Sequence, residues 1–407
     1  MKKIAVVATS AAICDEKGLN RMFYLAEMLC DNGYEVDFIT SDFQHWNKAY
    51  RDKELVKQWH TKSNIVLLHE TGYRKNVDFR RVFSHYKLAR NIKKFLNSHD
   101  YGLIYSNLPD NHVSAVCAQC AKKKRIPFVC DIEDLWPKAM KMVFNVPVIS
   151  PIVFSYFSHD AKVTYKLASG VIGSSDTYRD DPLNYGIDIP NKATVYVGND
   201  MSLFDEGAAE YKDQIKKKEN EFWVTYAGSL GTSYDIKTLI KAADIIKQNG
   251  NNNIRVMLIG DGPMRKEFEE YSHTLLGNIT FVGYLPFKEM AGYLVNSDVV
   301  INSVKKNASQ SIVTKIGDYL AAGKTMINTC IDSEFWQKVE ADGFGVNVEP
   351  ENPQALAATI VQLSKNPLQI QKMGEKARII AEEQFNRATA YMKIVKMIDE
   401  LYGKDYR

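Results

Sequence analysis

One stretch carries the side chains best spaced for binding chemistry: Gln310-Ser-Ile-Val-Thr-Lys-Ile-Gly-Asp-Tyr-Leu-Ala-Ala-Gly-Lys324. A polar run, 307–311, follows the apolar residues Val299, Val300 and Ile301. Ile316, Tyr319, Leu320 and Gly323 then recur at helical spacing, and Gly323 closes the pattern. The order is strand, loop, helix, with the helix starting near Thr314. A helix start offers unpaired backbone N–H groups and roughly half a positive charge. Lys315 adds a full charge at the same end. Such a place suits an anion, foremost a phosphate or diphosphate. The same pattern also fits an ordinary strand-loop-helix unit with a solvated lysine.

The elements that would position this stretch repeat along the whole chain. Its 407 residues suffice for two domains. With 45% hydrophobic and 25% charged residues the chain is a folded one. A net charge of +3 gives no reason to expect nucleic acid as a partner. The start, Met1-Lys-Lys-Ile-Ala-Val-Val-Ala8, reads as a first buried strand rather than a signal segment, so a reducing, cytoplasmic setting is expected. Cys117 and Cys120 form a C-x-x-C on a helical stretch without a second ligand pair, and no metal site is expected. The apolar run 142–157 is interrupted by Asn145, Pro147 and Pro151 and is too short to span a membrane.

In the N-terminal half, strands are expected at 4–8, 36–40, 65–68, 103–105, 128–130, 171–175 and 194–197, with helices at 20–32, 80–96 and 112–122. This is α/β alternation around a parallel sheet. No G-x-G-x-x-G follows the first strand, which argues against a dinucleotide enzyme. Gly18 and Arg21 at the first helix start could hold a polar ligand, or serve as a cap and a surface arginine. Asp131-Ile-Glu-Asp-Leu-Trp-Pro137 leaves a buried strand and sets Asp134 beside Trp136, a sugar-sized polar and aromatic pair. Arg80, Arg81, Lys87, Arg90, Lys93 and Lys94 make helix 80–96 basic. The helix face is either simply solvated or drawn to anionic lipid headgroups.

Residues 199–221 are polar and charged and read as a linker. Beyond it, strands at 222–227, 255–259, 279–282, 299–302 and 326–327 alternate with helices. Glycines follow several of them: Gly228 and Gly231, Gly260 and Gly262, and Gly283. Glycine at a strand end lets a ligand approach the backbone. A last helix, 387–402, carries Tyr391, Ile394, Val395, Ile398, Leu401 and Tyr402 as one stripe.

Five pieces in this order, Tyr226-Ala-Gly-Ser-Leu-Gly231, Leu258-Ile-Gly-Asp-Gly-Pro263, Ile279-Thr-Phe-Val-Gly283, Asn296-Ser-Asp-Val-Val300 and Thr314 through Lys324, resemble retaining glycosyltransferases of the family-4 type. Asp134-Leu-Trp-Pro137 is similar to a motif of the subgroup that builds capsule, O-antigen and exopolysaccharide repeat units. The resemblance implies the GT-B fold: two facing Rossmann-like α/β domains, 1–200 for the acceptor and 201–386 for the donor, a deep interdomain cleft, and a terminal helix, 387–407, returning to the first. It implies sugar transfer from a nucleotide diphosphate, foremost UDP, to a glycan or polyprenyl-diphosphate-linked acceptor, without a metal or other cofactor. It also implies a cytoplasmic protein, in peripheral contact with an anionic membrane.

The resemblance assigns the donor nucleotide to Gly228, Ser229, Gly231, Gly260, Gly262, Tyr284, Leu285, Ser311, Ile312, Val313, Thr314, Lys315 and Asp318. The acceptor goes to Gly18, Arg21, Asn107, His112 and Trp136. Asp134, Gln310 and Lys315 are the catalytic candidates. The family pattern of two glutamates eight positions apart is here Gln310 and Asp318, and the family's arginine and lysine fall near Ser229 and Tyr234. Gln310 bonds to sugar hydroxyls without charge. A catalytically impaired subunit of the same fold that binds nucleotide sugar or supports a partner transferase is the second expectation. A nucleotide-sugar 2-epimerase ranks last, because no acid/base pair surrounds Gln310.

Overall fold

The computed structural model describes residues 2–14, 16, 20–75, 79–136, 149–308 and 312–402. The chain forms two compact units, Met1–Val195 with Tyr391–Arg407, and Tyr196–Ala390.

The first unit is built on a parallel sheet of seven strands: β1 (Lys2–Val7), β2 (Tyr34–Ser41), β3 (Asn64–Leu68), β4 (Leu103–Leu108), β5 (Phe128–Ile132), β6 (Gly170–Gly173) and β7 (Lys192–Thr194). Their spatial order is β3-β2-β1-β4-β5-β6-β7. Strand β1 lies between β2 and β4, with Val6 beside Phe38 on one side and Tyr105 on the other. Both faces of these strands are covered, so they read as unbroken apolar runs. The helices that cover them are amphipathic. In α1 (Arg21–Asp31) Met22, Leu25, Ala26 and Leu29 are buried. In α2 (Phe79–Ser98) Leu88, Ala89, Ile92 and Leu96 are fully buried. In α3 (Asn111–Lys124) the buried set includes Cys117 and Cys120, and burial raises both thiols. Both cysteines are therefore core side chains. Helix α4 (Ile149–Leu167) follows.

Arg21 sits at the centre of this unit. Its guanidinium is 1% exposed and donates from Nε to Asp131 Oδ2 at 3.0 Å and from Nη2 to Asp131 Oδ1 at 3.2 Å. Tyr105 Oη donates to the same carboxylate at 2.7 Å, and Arg21 Nη1 donates to Tyr391 Oη at 3.3 Å. A ligand cannot reach it, which corrects the acceptor role expected of Arg21. The terminal helix begins beyond Tyr391, at Met392–Leu401, and buries Ile394, Val395, Ile398 and Leu401. The helix expected over 387–402 is interrupted at Tyr391, because 387–390 form a separate turn belonging to the second unit, while the stripe from Tyr391 to Leu401 is buried as one face.

The second unit repeats the design with six parallel strands: β8 (Phe222–Ala227), β9 (Ile254–Ile259), β10 (Ile279–Gly283), β11 (Val299–Asn302), β12 (Thr325–Asn328) and β13 (Gly345–Asn347). The order is β10-β9-β8-β11-β12-β13. Residues expected as a linker contain helix α5 (Met201–Tyr211), capped by Asp200, whose carboxylate accepts from Leu203 N at 3.1 Å. Its single fully buried side chain is Phe204. Met201 and Phe204 are its buried large apolar side chains, too few to announce a helix by periodicity. Helices α6 (Ile236–Gln248), α7 (Phe287–Asn296) and α8 (Lys315–Ala321) complete the parts that matter below. No described helix is long and apolar enough to cross a membrane, and of the run 142–157 residues 142–148 lie outside the described residues.

Removing one charge of a buried pair leaves the other uncompensated. Asp131→Asn is therefore expected to destabilise the protein by about 3–5 kcal/mol, read as a lower urea midpoint. A wild-type midpoint would show that the pair is not what holds this unit.

Candidate functional site

Lys315 opens α8, and its side chain turns inward. It is 8% exposed. The ammonium lies 4.3 Å from the ring centroid of Tyr226 and 4.1 Å from that of Tyr234. Its Nζ has no hydrogen-bond partner among the described residues. Two aromatic faces stabilise a cation but do not replace the hydrogen bonds lost on burial. Burial accordingly pushes Lys315 down to about 7. A bound anion would restore the interactions that burial removes.

The cage is fixed from behind. Tyr226 is the penultimate residue of β8, and its hydroxyl donates to the Ser229 carbonyl at 2.7 Å. Tyr319, one helical turn along α8 from Lys315, accepts from Ala227 N at 2.8 Å and donates to Ala227 O at 3.0 Å. The helix is thereby pinned to the end of β8 at the strand's last residue. A Cβ on Gly228, whose φ is 153°, would meet Lys315 Cδ at 3.5 Å. The loop after β8 and the lysine are thus in direct contact.

The glycines after β9 have a different cause from the one expected. A Cβ on Gly260, at φ 126°, would stand 1.9 Å from the Gly228 carbonyl oxygen. A Cβ on Gly262 would stand 2.5 Å from Leu230 O. Leu230 N donates to Asp261 O at 2.9 Å, and Met264 N donates to Leu230 O at 3.0 Å. Gly260 and Gly262 are therefore required by the packing of two loops against each other, and close approach of a ligand is not needed to explain them. Gly231 is the open one: its Cβ would meet only Ser229 Oγ, at 3.5 Å.

Other expected donor residues are spread around this centre. Ser229 and Tyr284 are exposed, Leu285 half-buried. Ile312 is buried in the core, while Val313 and Thr314 are half-buried and give their carbonyls to Ile316 N at 3.0 Å and Gly317 N at 3.2 Å. Asp318 points away from Lys315. Its Oδ1 accepts from Asn199 Nδ2 at 2.6 Å. Burial raises its carboxyl to about 7, against the opposing pull of Arg387 and the Asn199 bond. Gly18, Gln310 and Ser311 lie outside the described residues.

In the first unit His112, near the start of α3, has Nδ1 at 3.0 Å from Asp160 Oδ2 and 2.9 Å from Tyr156 Oη, with the Tyr86 ring stacked at 4.9 Å. A carboxylate on one ring nitrogen orients the imidazole and supports its use as a base through the other. Asn111 Nδ2 donates to Trp136 O at 3.0 Å, tying the loop after β5 to this helix. Asp134 in that loop is half-buried, and burial raises its carboxyl. Asn107 is spent on Glu133 Oε1 at 2.8 Å. Sequence reasoning missed Tyr226, Tyr234 and Asn199. Only the first two had a signal, as aromatics beside the glycine loop.

The two glycines make the loop packing testable. Gly260→Ala forces backbone apart and is expected to cost at least about 4 kcal/mol, lowering the thermal midpoint of unfolding by many degrees. Gly231→Ala should leave it nearly unchanged. Equal midpoints for the two variants would contradict the packing described.

Residues 208–379 match the family described as "Glycosyl transferases group 1". A comparison with curated protein sequences finds no match. Solved structures similar to the whole chain include HepE of Anabaena in complex with UDP (18% identity, TM-score 0.71, covering 98% of this chain and 100% of that one). Sucrose-phosphate synthase of Thermosynechococcus elongatus is also similar (17%, 0.72, 98% and 99%). So is WaaG, a glycosyltransferase involved in lipopolysaccharide biosynthesis (12%, 0.69, 98% and 100%). The chain thus has the GT-B fold and carries a glycosyl transferases group 1 domain over residues 208–379.

Proposed function

We propose that the protein is a retaining glycosyltransferase that moves a hexosyl or N-acetylhexosaminyl group from a UDP-sugar to a glycan or lipid-linked glycan in surface polysaccharide synthesis. The observation that carries this reading is the Lys315 ammonium, buried, caged by Tyr226 and Tyr234 and without a hydrogen-bond partner among the described residues. Family members carry a lysine near the place of Tyr234, and here Lys315 brings an ammonium to that ring from another element. HepE of Anabaena was solved with UDP-glucose, which supports a nucleotide sugar as the ligand here.

In this reading Lys315 and the start of α8 hold the diphosphate, and no metal is needed for charge balance. Asp318 takes the ribose, exchanging its bond with Asn199 for one with a hydroxyl. The base lies along residues 260–262 and 284–285. Most of the catalysis is stabilisation of the departing diphosphate, whose phosphate oxygen accepts the acceptor's proton on the same face. His112, oriented by Asp160, and Asp134 position the acceptor hydroxyl or assist its deprotonation. Gln310 bonds to the donor sugar as a neutral amide. That neutrality favours, as a second reading, a subunit that binds nucleotide sugar without turning it over.

The membrane contact belongs to the same proposal. Helix α2 has no acidic residue, and its exposed face carries Phe83 and Tyr86 among Arg80, Lys87, Arg90, Lys93 and Lys94. Aromatic rings among cations suit an anionic lipid surface.

Four outcomes are expected. UDP and some UDP-sugars should raise the unfolding temperature; a panel of nucleotides that shifts nothing would reject the donor site. Lys315→Ala should lower turnover by roughly 10²–10³, as for one lost transition-state contact. UDP affinity should fall by up to about tenfold per pH unit above pH 7, because the free lysine deprotonates there and binding must restore its proton. Lys315→Gln should lose that part of the pH profile while keeping any part due to Asp318. In a separate assay, Arg90→Glu with Lys93→Glu and Lys94→Glu should abolish cosedimentation with phosphatidylglycerol vesicles; unchanged cosedimentation rejects the membrane contact.

A further inference from the structure

The carboxyl ends of four strands in the first unit converge on a group of polar side chains that sugar transfer, as described, leaves unused apart from Asp134. Asp42 follows β2, Glu70 follows β3, Asp110 follows β4 and Asp134 follows β5. This end of an open parallel sheet is where ligands bind. Helix α2 contributes Arg81, Ser84 and His85. The inner part is self-contained. His85 Nδ1 is 3.0 Å from Asp110 Oδ2, its Nε2 is 3.7 Å from Glu70 Oε1, and Ser84 Oγ donates to Glu70 Oε1 at 2.9 Å.

The outer part is different. It is built around Tyr73, 5% exposed, whose hydroxyl is 2.5 Å from His45 Nδ1. The Lys48 ammonium is 5.2 Å from the centroid of the Tyr73 ring and the Arg81 guanidinium carbon 5.5 Å. Arg81 also lies 4.8 Å from the centre of the Trp136 ring. Asp110 and Asp134 offset the charge of Arg81. Lys48 has no such neighbour: among the described residues no carboxylate lies within 4 Å of its ammonium, which donates to the His45 carbonyl. Lys48 is pushed down by burial and then by Arg81, and His45 falls to about 3 by burial and then by Arg81, Lys48 and His85. The backbone of Lys48 is left-handed, φ 54°, an unusual conformation for a residue with a side chain. Two cations are thus held about one ring, Lys48 from the turn that closes the hairpin of Phe43–Gln44 with Ala49–Tyr50.

We propose that Lys48 and Arg81 form a binding site for a phosphate ester, the phosphate or diphosphate of the acceptor. The guanidinium supplies a planar pair of donors and the ammonium a point charge, together matching the oxygens of a phosphoryl group. The word acceptor rests on the glycosyltransferase reading; the anion site does not. Trp136 and Asp134 stand next to it, so an ester held on Arg81 would place the attached group against the aromatic and carboxylate pair singled out in the sequence.

The test uses the full chain in the presence of saturating UDP, titrated calorimetrically with inorganic pyrophosphate and with farnesyl diphosphate. Lys48→Gln and Arg81→Gln should each weaken pyrophosphate binding by about tenfold or more, as for a lost hydrogen bond to a charged group, and Lys315→Ala should not. If UDP fails to bind, the donor reading fails alone, since pyrophosphate binding must still depend on Lys48. Pyrophosphate should also change tryptophan emission, and Trp136→Phe should erase that change, which guards against a variant that merely unfolds. Tighter binding of farnesyl diphosphate than of pyrophosphate, with farnesol silent, assigns the site to a lipid-linked acceptor. Equal binding assigns it to a soluble phosphorylated one. Wild-type affinity in both charge variants, or tryptophan emission indifferent to pyrophosphate, overturns the site.

Discussion

The second unit depends on one costly placement: an ammonium taken out of water with no hydrogen bond among the described residues to replace those it loses. Burying an unpaired charge costs several kcal/mol, and a lysine's usual response is to shed its proton. The structure opposes that only in part, with two tyrosine faces. The neighbouring features follow from holding that arrangement. Tyr319 fastens α8 to the end of β8, and Gly260 lets the next loop close behind Gly228. Each contact fixes backbone to backbone or ring to backbone, so the cage does not depend on flexible surface side chains.

The first unit rests on the opposite solution. Arg21 is as buried as Lys315, but its charge is answered twice by Asp131, whose carboxylate also accepts from Tyr105. A bidentate pair with its remaining lone pairs satisfied can be structural. A lone ammonium against two rings is harder to justify on stability. The contrast separates the two buried cations by role. Arg21 holds β5, α1 and Tyr391 together, while Lys315 is left with capacity to bind.

The alternation of strands and helices was legible because parallel strands covered on both faces are continuous apolar runs, and the glycines after β8, β9 and β10 punctuate them. The start of α8 was legible too, since Lys315 follows a polar loop and precedes a helical apolar pattern. The cage was not. Tyr226 reads as one more strand residue and Tyr234 as a loop aromatic, and only the turn of the chain between them makes both face one lysine. Gly260 and Gly262 are ambiguous in sequence: a glycine needed for loop packing and a glycine needed for a ligand look the same. Arg21 misled because a helix start marks equally well a cap, a ligand contact or a buried ion pair. The cluster around Tyr73 joins residues from 42 to 136, too far apart in the chain for any local pattern to connect them.

Lys315 and Asp318 are one helical turn apart, and burial moves both to about 7 from opposite sides. They do not compensate each other, since one faces Tyr226 and Tyr234 and the other Asn199. Below pH 7 the lysine is charged and the carboxyl neutral; above it the lysine is neutral and the carboxylate charged. With rising pH the start of α8 therefore moves from net positive towards net negative. An anion bound at Lys315 holds the lysine's proton on, while Asp318 answers to its own burial, to Arg387 and to Asn199. A carboxyl kept protonated can donate as well as accept, whereas a carboxylate only accepts. The hydrogen-bonding character of each end of this turn is thus set by what surrounds it: two rings at the lysine, Asn199 and Arg387 at the carboxyl.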